Sequence, residues 1–443
     1  MTVTRSILFI LLPSSFILLM GCGPTAAERR AHRAVDDYHV GDYGRAVHTL
    51  RPIAEKTDEN FVLNNARLGS AALADYDLDT AENAFLNAYE VINSTGTNSG
   101  GRGAAAAIIS ERMKVWKGEP FEKAMVNFYL GLVYYVRHDY DNARAAFENS
   151  LFKLREYGEE RGDRDDEYRR VESDFVIGYV MLARCYQRLG DADNARKYFA
   201  RAAELRPRLR GLTDFGQHDR SNVLLVVDFG QGPRRVTHPY DGAFVGFGPR
   251  PEEVGSIPLP RIAVDGQTIG SAGPRGDFFV APPVDLLALA QEKRWQDIDT
   301  IRAVKDVVGT GMIAGGAYMA HRAAYHSRGS DQRRDATYAA ALIAAGALLK
   351  ASSQADVRTW EMLPRTTFLI PLKLPPGRHD VTVDFPSEPG LAQTWRGIVA
   401  PDAGDATYYL RIQPATAGEH TWPPRKPSPA PAPAPAVGAT DPR

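Results

Sequence analysis

From about residue 28 to Pro207, apolar positions recur every three or four residues, the spacing that builds one apolar stripe on a helix. Two stretches superpose closely: "LGLVYYVRHDYDNARAAFENS" (130–150) and "LARCYQRLGDADNARKYFARA" (182–202). Leu130 meets Leu182, Gly131 meets Ala183, Tyr134 meets Tyr186, Ala143 meets Ala195, Phe147 meets Phe199 and Ser150 meets Ala202. "LGSAALADYDLDTAENAFLNA" (68–88) enters the same frame through Leu68, Gly69, Ala81, Phe85 and Ala88, and a weaker copy precedes it with Gly41, Tyr43, Ala46 and Leu50. Each copy reads as a helix pair. Small residues where two helices cross let them approach closely, and the aromatics fill the space toward the next pair. A pair leaves an apolar face that only its neighbour covers, so four copies should stack. Frame positions recur at Ala34, Gly69, Gly131 and Ala183. The two later steps are longer, which makes "NSTGTNSGGRGAAAA" (93–107) and "REYGEERGDRDDEYRR" (155–170) insertions that project as loops.

After Pro207 the period changes. "NVLLVVDFG" (222–230) is rich in Val and Leu and ends at Gly, as a strand does. "RIAVDGQTI" (261–269) predicts a hairpin around Asp265-Gly266. "TTFLIPLKL" (366–374) and "HDVTVDF" (379–385) flank "PPGR", a second predicted hairpin. "TWRGIVA" (394–400) and "TYYLRI" (407–412) flank "PDAGDA", a third. Val381, Val383 and Phe385 alternate onto one face. Six or more such strands predict an antiparallel β-sandwich over 221–413, closed around an insertion at 283–356.

Inside that insertion, "VVGTGMIAGGAYMAH" (307–321) and "YAAALIAAGALLKA" (338–351) are apolar and built of small residues. One reading is a helical hairpin packed on the sandwich. A second is contact with lipid, since Gly311 and Gly315 have the small-xxx-small spacing of membrane helices; each run is shorter than a full span. A third, a dinucleotide loop at "GTGMIAG", lacks the flanking strands and acidic residue that chemistry needs.

The repeat frame resembles the tetratricopeptide pattern, whose period is about 34 residues. That resemblance implies an α-solenoid over 28–210 whose first helices line a concave groove. Met125, Phe128, Leu132 and Tyr135 of the third copy, and Ile177, Val180, Arg184 and Gln187 of the fourth, then face the groove. Arg184 and Arg188 are placed to clamp a carboxylate of a peptide partner; the alternative is solvation, or capping by another part of this chain. "WKGEPFEKAMVNFYLGLVYY" (116–135), "VVDFGQGP" (226–233) and "WEMLPRTTFLIPLKLPPG" (360–377) together resemble a family of bacterial tetratricopeptide-containing lipoproteins, and carry over no catalytic residue.

The first residues, "MTVTRSILFILLPSSFILLMGC", sharpen the picture. One basic residue precedes an apolar run too short for a span and broken by Pro13. Leu19-Met20-Gly21-Cys22 resembles the lipobox of bacterial lipoproteins, which implies cleavage between Gly21 and Cys22 and acylation of Cys22. Residues 1–21 are then the signal peptide and 22–27 a tether. Several acyl chains hold a protein firmly on a bilayer. Gly23, rather than Asp, follows the Cys; by the rule known for enterobacterial lipoproteins, the resemblance then implies an outer rather than an inner membrane, facing the periplasm. The alternative is an ordinary signal peptide with a chance Cys. The far end, 414–443, alternates Pro and Ala and predicts an extended, disordered tail.

Fifty-three basic against 54 acidic residues leave a net charge of −1, which gives no case for nucleic acid. With Cys22 acylated, Cys185 is alone, so no disulfide framework exists; it falls on the apolar side of its helix. Asn93 matches a glycosylation sequon, which a bacterial lipobox discounts. No Cys/His metal spacing or nucleophile motif occurs, and His321 and His326 do not share a helical face. The expectation is a non-enzymatic, cofactor-free envelope protein that binds another envelope protein or peptide through its repeats and the membrane through its lipid. The alternative is a secretion or membrane-remodelling subunit acting through 307–351.

Overall fold

The computed structural model describes residues 25–93, 115–116, 118–159, 175–207, 221–237, 244–249, 257–271, 284–291, 312, 317–320, 336–343 and 358–424. Gly21 and Cys22, most of both insertions, most of 307–351 and the tail beyond 424 lie outside these residues.

Thr25 opens the first helix with a capping box: its hydroxyl accepts from the Glu28 N–H at 3.1 Å, and the Glu28 carboxylate accepts from the Thr25 N–H. Four helix–turn–helix pairs follow: α1 (Ala26–His39) with α2 (Tyr43–Ala54), α3 (Phe61–Ala74) with α4 (Leu78–Asn93), α5 (Pro120–Val136) with α6 (Tyr140–Glu159), and α7 (Val176–Arg188) with α8 (Ala192–Leu205). Each pair packs on the next. The frame positions lie where the helices of a pair touch. A Cβ on Gly69 would sit 2.7 Å from the Phe85 ring, and one on Gly131 2.8 Å from Phe147. Ala34 and Leu50, and Ala183 and Phe199, hold the same places and are buried.

The turns repeat as well. Gly41, Tyr76, His138 and Gly190 all adopt left-handed backbone, with φ of 85°, 58°, 62° and 80°. An Asp follows each of them and caps the second helix of its pair. Asp42, Asp77, Asp139 and Asp191 accept from the N–H groups of Arg45, Thr80, Asn142 and Asn194.

A β-rich region follows: β1 (Val223–Phe229), β2 (Arg234–Thr237), β3 (Phe244–Gly248), β4 (Arg261–Val264), β5 (Gln267–Ser271), β6 (Val284–Asp285), a short α9 (Leu286–Ala290), then β7 (Thr366–Leu372), β8 (Gly377–Asp384), β9 (Ala392–Ala400), β10 (Ala406–Ile412) and β11 (Gly418–Thr421). One sheet has the order β10-β1-β7-β6, a second β11-β9-β8-β4-β5, and β2 pairs with β3 alone. The Asp265-Gly266 hairpin forms as expected, with φ of 51° and 78°.

Three expectations are corrected. The sheets are not purely antiparallel: β1 runs parallel to β10, with Val223 opposite Ala406, and β11 runs parallel to β9. The second and third predicted hairpins are crossovers between sheets, because β7 and β10 belong to one sheet and β8 and β9 to the other. Residues 414–421 are not tail: a 3-10 turn at Pro414–Thr416 leads into β11, which extends the second sheet.

The burial pattern explains the crossovers. β1 and β7 are buried at every residue, whereas β8 and β9 bury residues on one face and leave the other open. On β1, Val223, Leu225, Val227 and Phe229 join a cluster with Val381, Val383 and Ile398 of the second sheet. Leu224 and Val226, from the opposite face, join the helical core together with Leu369 and Tyr409. The four-stranded sheet is thus covered by the second sheet on one side and by the helices on the other.

Of the insertion, residues 317–320 and 336–343 are helical, with Tyr318, Tyr338 and Ile343 exposed. Among the described residues, no helix is long and apolar enough to cross a membrane.

Candidate functional site: the repeat groove and the outer cleft

The first helices of the pairs meet the rest of the chain instead of solvent. Residues 358–365, "RTWEMLPR", run along α3 and α5, with a turn at Glu361-Met362. Trp360 is 1 % exposed; its indole N–H donates to Ser70 at 3.2 Å and its backbone N–H to Glu122 at 2.8 Å. Its ring packs against Phe85 and Tyr129. The next residue, Glu361, accepts two bonds from Arg67, at 2.6 and 2.9 Å. Arg358 donates to Glu59 O and Asn60, and Trp116 donates to Arg358 O. This segment makes the bidentate ion pair and buried aromatic anchor that a bound peptide would make.

Deeper in, Asp228 of β1 is fully buried. One carboxylate oxygen accepts from Tyr129 of α5 at 2.5 Å and Tyr409 of β10 at 2.8 Å; the other accepts from Thr367 of β7. Burial pushes the Asp228 carboxyl up, against the pull of the Arg411 guanidinium and these three donors. Arg411 in turn donates to Tyr38 of α1 at 3.0 Å and to Gly230 O at 2.6 Å. At one end, the Tyr76 hydroxyl donates to Tyr409 O. That contact, with the Trp422 ring 4.6 Å away, accounts for a tyrosine in a left-handed turn.

Arg184, Arg188 and Tyr135 converge, and they hold a carboxylate. It belongs to this chain. Asp405 sits 2.8 Å from Arg184, 3.0 Å from Arg188 and 3.2 Å from the Tyr135 hydroxyl, and Arg184 also donates to Ser221. Burial works against the Arg184 charge, but Tyr135 and Asp405 more than offset it and its pKa rises. Met125, Phe128, Leu132, Ile177 and Val180 lie in the helical core, and Gln187 is half-buried. Phe128 faces the rings of Phe147 and Phe175 inside the helix array. The expectation of an open groove lined by these residues is therefore corrected. The stated alternative, capping by another part of the chain, is what the geometry shows. Cys185 is buried, and burial raises its thiol pKa.

Sequence reasoning missed Arg67, Ser70, Glu122, Tyr129 and Asp228. A signal existed: "FVLNNARLGSAALA" places Asn64, Asn65, Arg67 and Ser70 within an otherwise apolar helix, and every residue from Phe61 to Leu73 is buried. Polar groups inside a fully buried helix demand partners. Glu122 is such a group. Its carboxyl is pushed up to about 7 by burial, against the pull of Arg235.

On another side, α2, α3 and α4 enclose a cleft of about 330 Å³. Asn65, Leu68 and Ala84 form its floor, and Arg51, Asn83 and Asn87 stand at its rim.

Residues 178–209 match the tetratricopeptide repeat. The match covers α7 and α8, the copy ending at Pro207, and shows a chain that contains such a repeat. A repeat of this kind is consistent with binding to protein partners. No curated protein matches the chain.

Proposed function

We propose that this chain is a lipid-anchored scaffold of a bacterial cell envelope, held by acylated Cys22 and binding other envelope proteins through a tetratricopeptide solenoid buttressed by a β-sandwich. The observation that carries the reading is the repeat at 178–209 within four stacked pairs. Because segment 358–365 and Asp405 occupy the concave side, partners meet the outer helices and loops. The reading is non-enzymatic. Among the described residues, the two carboxyls with raised pKa, Asp228 and Glu122, are buried and bonded at the junction of helices and sheet. The lipobox supports a periplasm-facing membrane position, in the outer membrane by the rule on the residue after Cys22.

The test is in-cell crosslinking of the full chain beside a Cys22→Ala form exported by a different signal peptide. The expected result is a fatty-acid label on the first form alone, membrane release of the second, and a defined set of crosslinked envelope proteins. An unlabelled native chain, or one crosslinking to nothing, defeats the reading. The exposed Tyr318, Tyr338 and Ile343 keep a second reading in view, membrane remodelling through 307–351. Continued membrane partitioning of Cys22→Ala would favour it.

A further inference from the structure

Helix α3 divides its faces. Arg67 and Ser70 turn toward segment 358–365, whereas Phe61, Asn65 and Leu68, spaced four and three apart, turn toward the cleft. The opposite wall is α4, where Thr80, Asn83 and Asn87 recur every three or four residues. Asn65 is 1 % exposed and rigidly held: its amide donates at 2.9 Å to both Ala54 O and Phe61 O. Its oxygen accepts from Asn87 at 3.1 Å. That fixes the Asn87 carboxamide and leaves it an oxygen and a second N–H with no protein partner among the described residues. Asn83, one turn earlier, is tied by a single bond to Asp79 O and exposes the rest of its carboxamide.

The cleft therefore offers two aligned carboxamides above a floor of Ala54, Leu68 and Ala84. A carboxamide presents one donor and one acceptor side by side, the complement of a main-chain N–H and C=O. Charge recognition is poorly served here. Arg51 is already engaged by Thr80 at 2.9 Å and by Asp77, and among the described residues Glu55 is the one carboxylate lining the cleft.

We propose that this cleft binds an extended, uncharged polypeptide segment of a partner protein, with Asn83 and Asn87 pairing to its main-chain amides. The inference rests on the reading that the repeats bind protein, and it moves the contact from the concave groove to the outer side.

The test uses the full chain and a pool of acetylated, amidated octapeptides built from Ala, Ser, Asn and Gln, beside pools carrying alternating acidic or basic residues. The neutral pool should bind, and Asn87→Ala should weaken it about tenfold, one lost hydrogen bond with an imperfectly replaced partner. Asn83→Ala should weaken it less. Asn83 is exposed and its loss should leave the unfolding midpoint unchanged, whereas Asn87→Ala frees the buried Asn65 oxygen and should lower it; a single cooperative unfolding transition above the assay temperature certifies that each variant folds. No binding of the neutral pool, equal binding of a charged pool, or binding indifferent to Asn87→Ala overturns the proposal. Crosslinked partners that persist in the Asn83→Ala, Asn87→Ala double variant overturn it too, while leaving the scaffold reading intact. Peptide binding without any cellular partner would instead sink the scaffold reading alone.

Discussion

The two faces of the four-stranded sheet are built on different principles. Toward the second sheet, Val223, Leu225, Val227 and Phe229 pack into an apolar cluster. Toward the helices, the same strand presents Leu224, Val226 and then Asp228, which gathers three hydroxyl donors from three elements. Apolar burial is non-directional and tolerates sliding. A buried carboxylate with three fixed donors does not, since any shift orphans polar groups in a dry site. The first face supplies cohesion; the second sets how the helical array sits on the sheet. Asp405 does the same at the far end through Arg184 and Arg188.

The strongest way to break this contrast is Asp405→Ala. It leaves two guanidinium groups without their carboxylate in a buried site, and should cost about 3–5 kcal/mol in denaturant unfolding. Adding Arg184→Met and Arg188→Met should return part of that loss. A cost below about 1 kcal/mol would show that the clamp is incidental.

On the apolar face, Leu225→Ala should cost about 3 kcal/mol, through lost burial and a residual cavity. The shared sheet predicts that both changes lower one common transition. Two separate transitions, each sensitive to one change, would divide the molecule into independent halves.

Glu122 sharpens the comparison through pH. Its carboxyl titrates near 7 when folded against an ordinary value of 4.5, so the folded state binds the extra proton between these limits. Its contribution is present in full below about 4.5 and is lost as pH rises through about 7. The slope is at most roughly 1.4 kcal/mol per pH unit for one proton. Glu122→Gln should flatten stability across that interval, measured by unfolding at a series of pH values. An unchanged slope would assign the titration elsewhere.

The smallest effect is expected at the outer sheet. Both His379 ring nitrogens face acceptors, Asp265 and Pro375 O, each at 2.7 Å, and the first of these raises the imidazole pKa. A raised histidine stabilises fully below its unfolded value near 6.5 and loses that contribution as pH rises through the folded value. Ring NMR signals of His379 should titrate above 6.5, and a midpoint at or below it would refute the pairing.

Much of the fold was legible because it follows from local periodicity. The small-to-aromatic pairs Gly69–Phe85 and Gly131–Phe147 were visible as a repeat before any packing was known. The layers were legible too, had the strand patterns been separated: the continuous runs "VLLVVDF" and "TTFLIPL" mark strands covered on both faces, and the alternating "HDVTVDF" marks one covered once. "PPGR" and "PDAGDA" announce reversals but not the sheet in which the next strand pairs, so two crossovers read as hairpins. Arg184 and Arg188 were recognisable as a carboxylate clamp; the owner of the carboxylate was not, being more than two hundred residues away.

By itself, the chain's order of residues determined the four helix pairs, their crossings and turns, and which strand positions turn inward, because those depend on contacts within a few dozen neighbours and on the periods of helix and strand. Only the tertiary structure decided that the sheet lies against the first helices of the pairs, that β1 runs alongside β10, and that Asp405 and Glu361 pair with Arg184 and Arg67. Those outcomes depend on complementarity between surfaces far apart along the chain, where many pairings satisfy the same apolar pattern and buried charges select one.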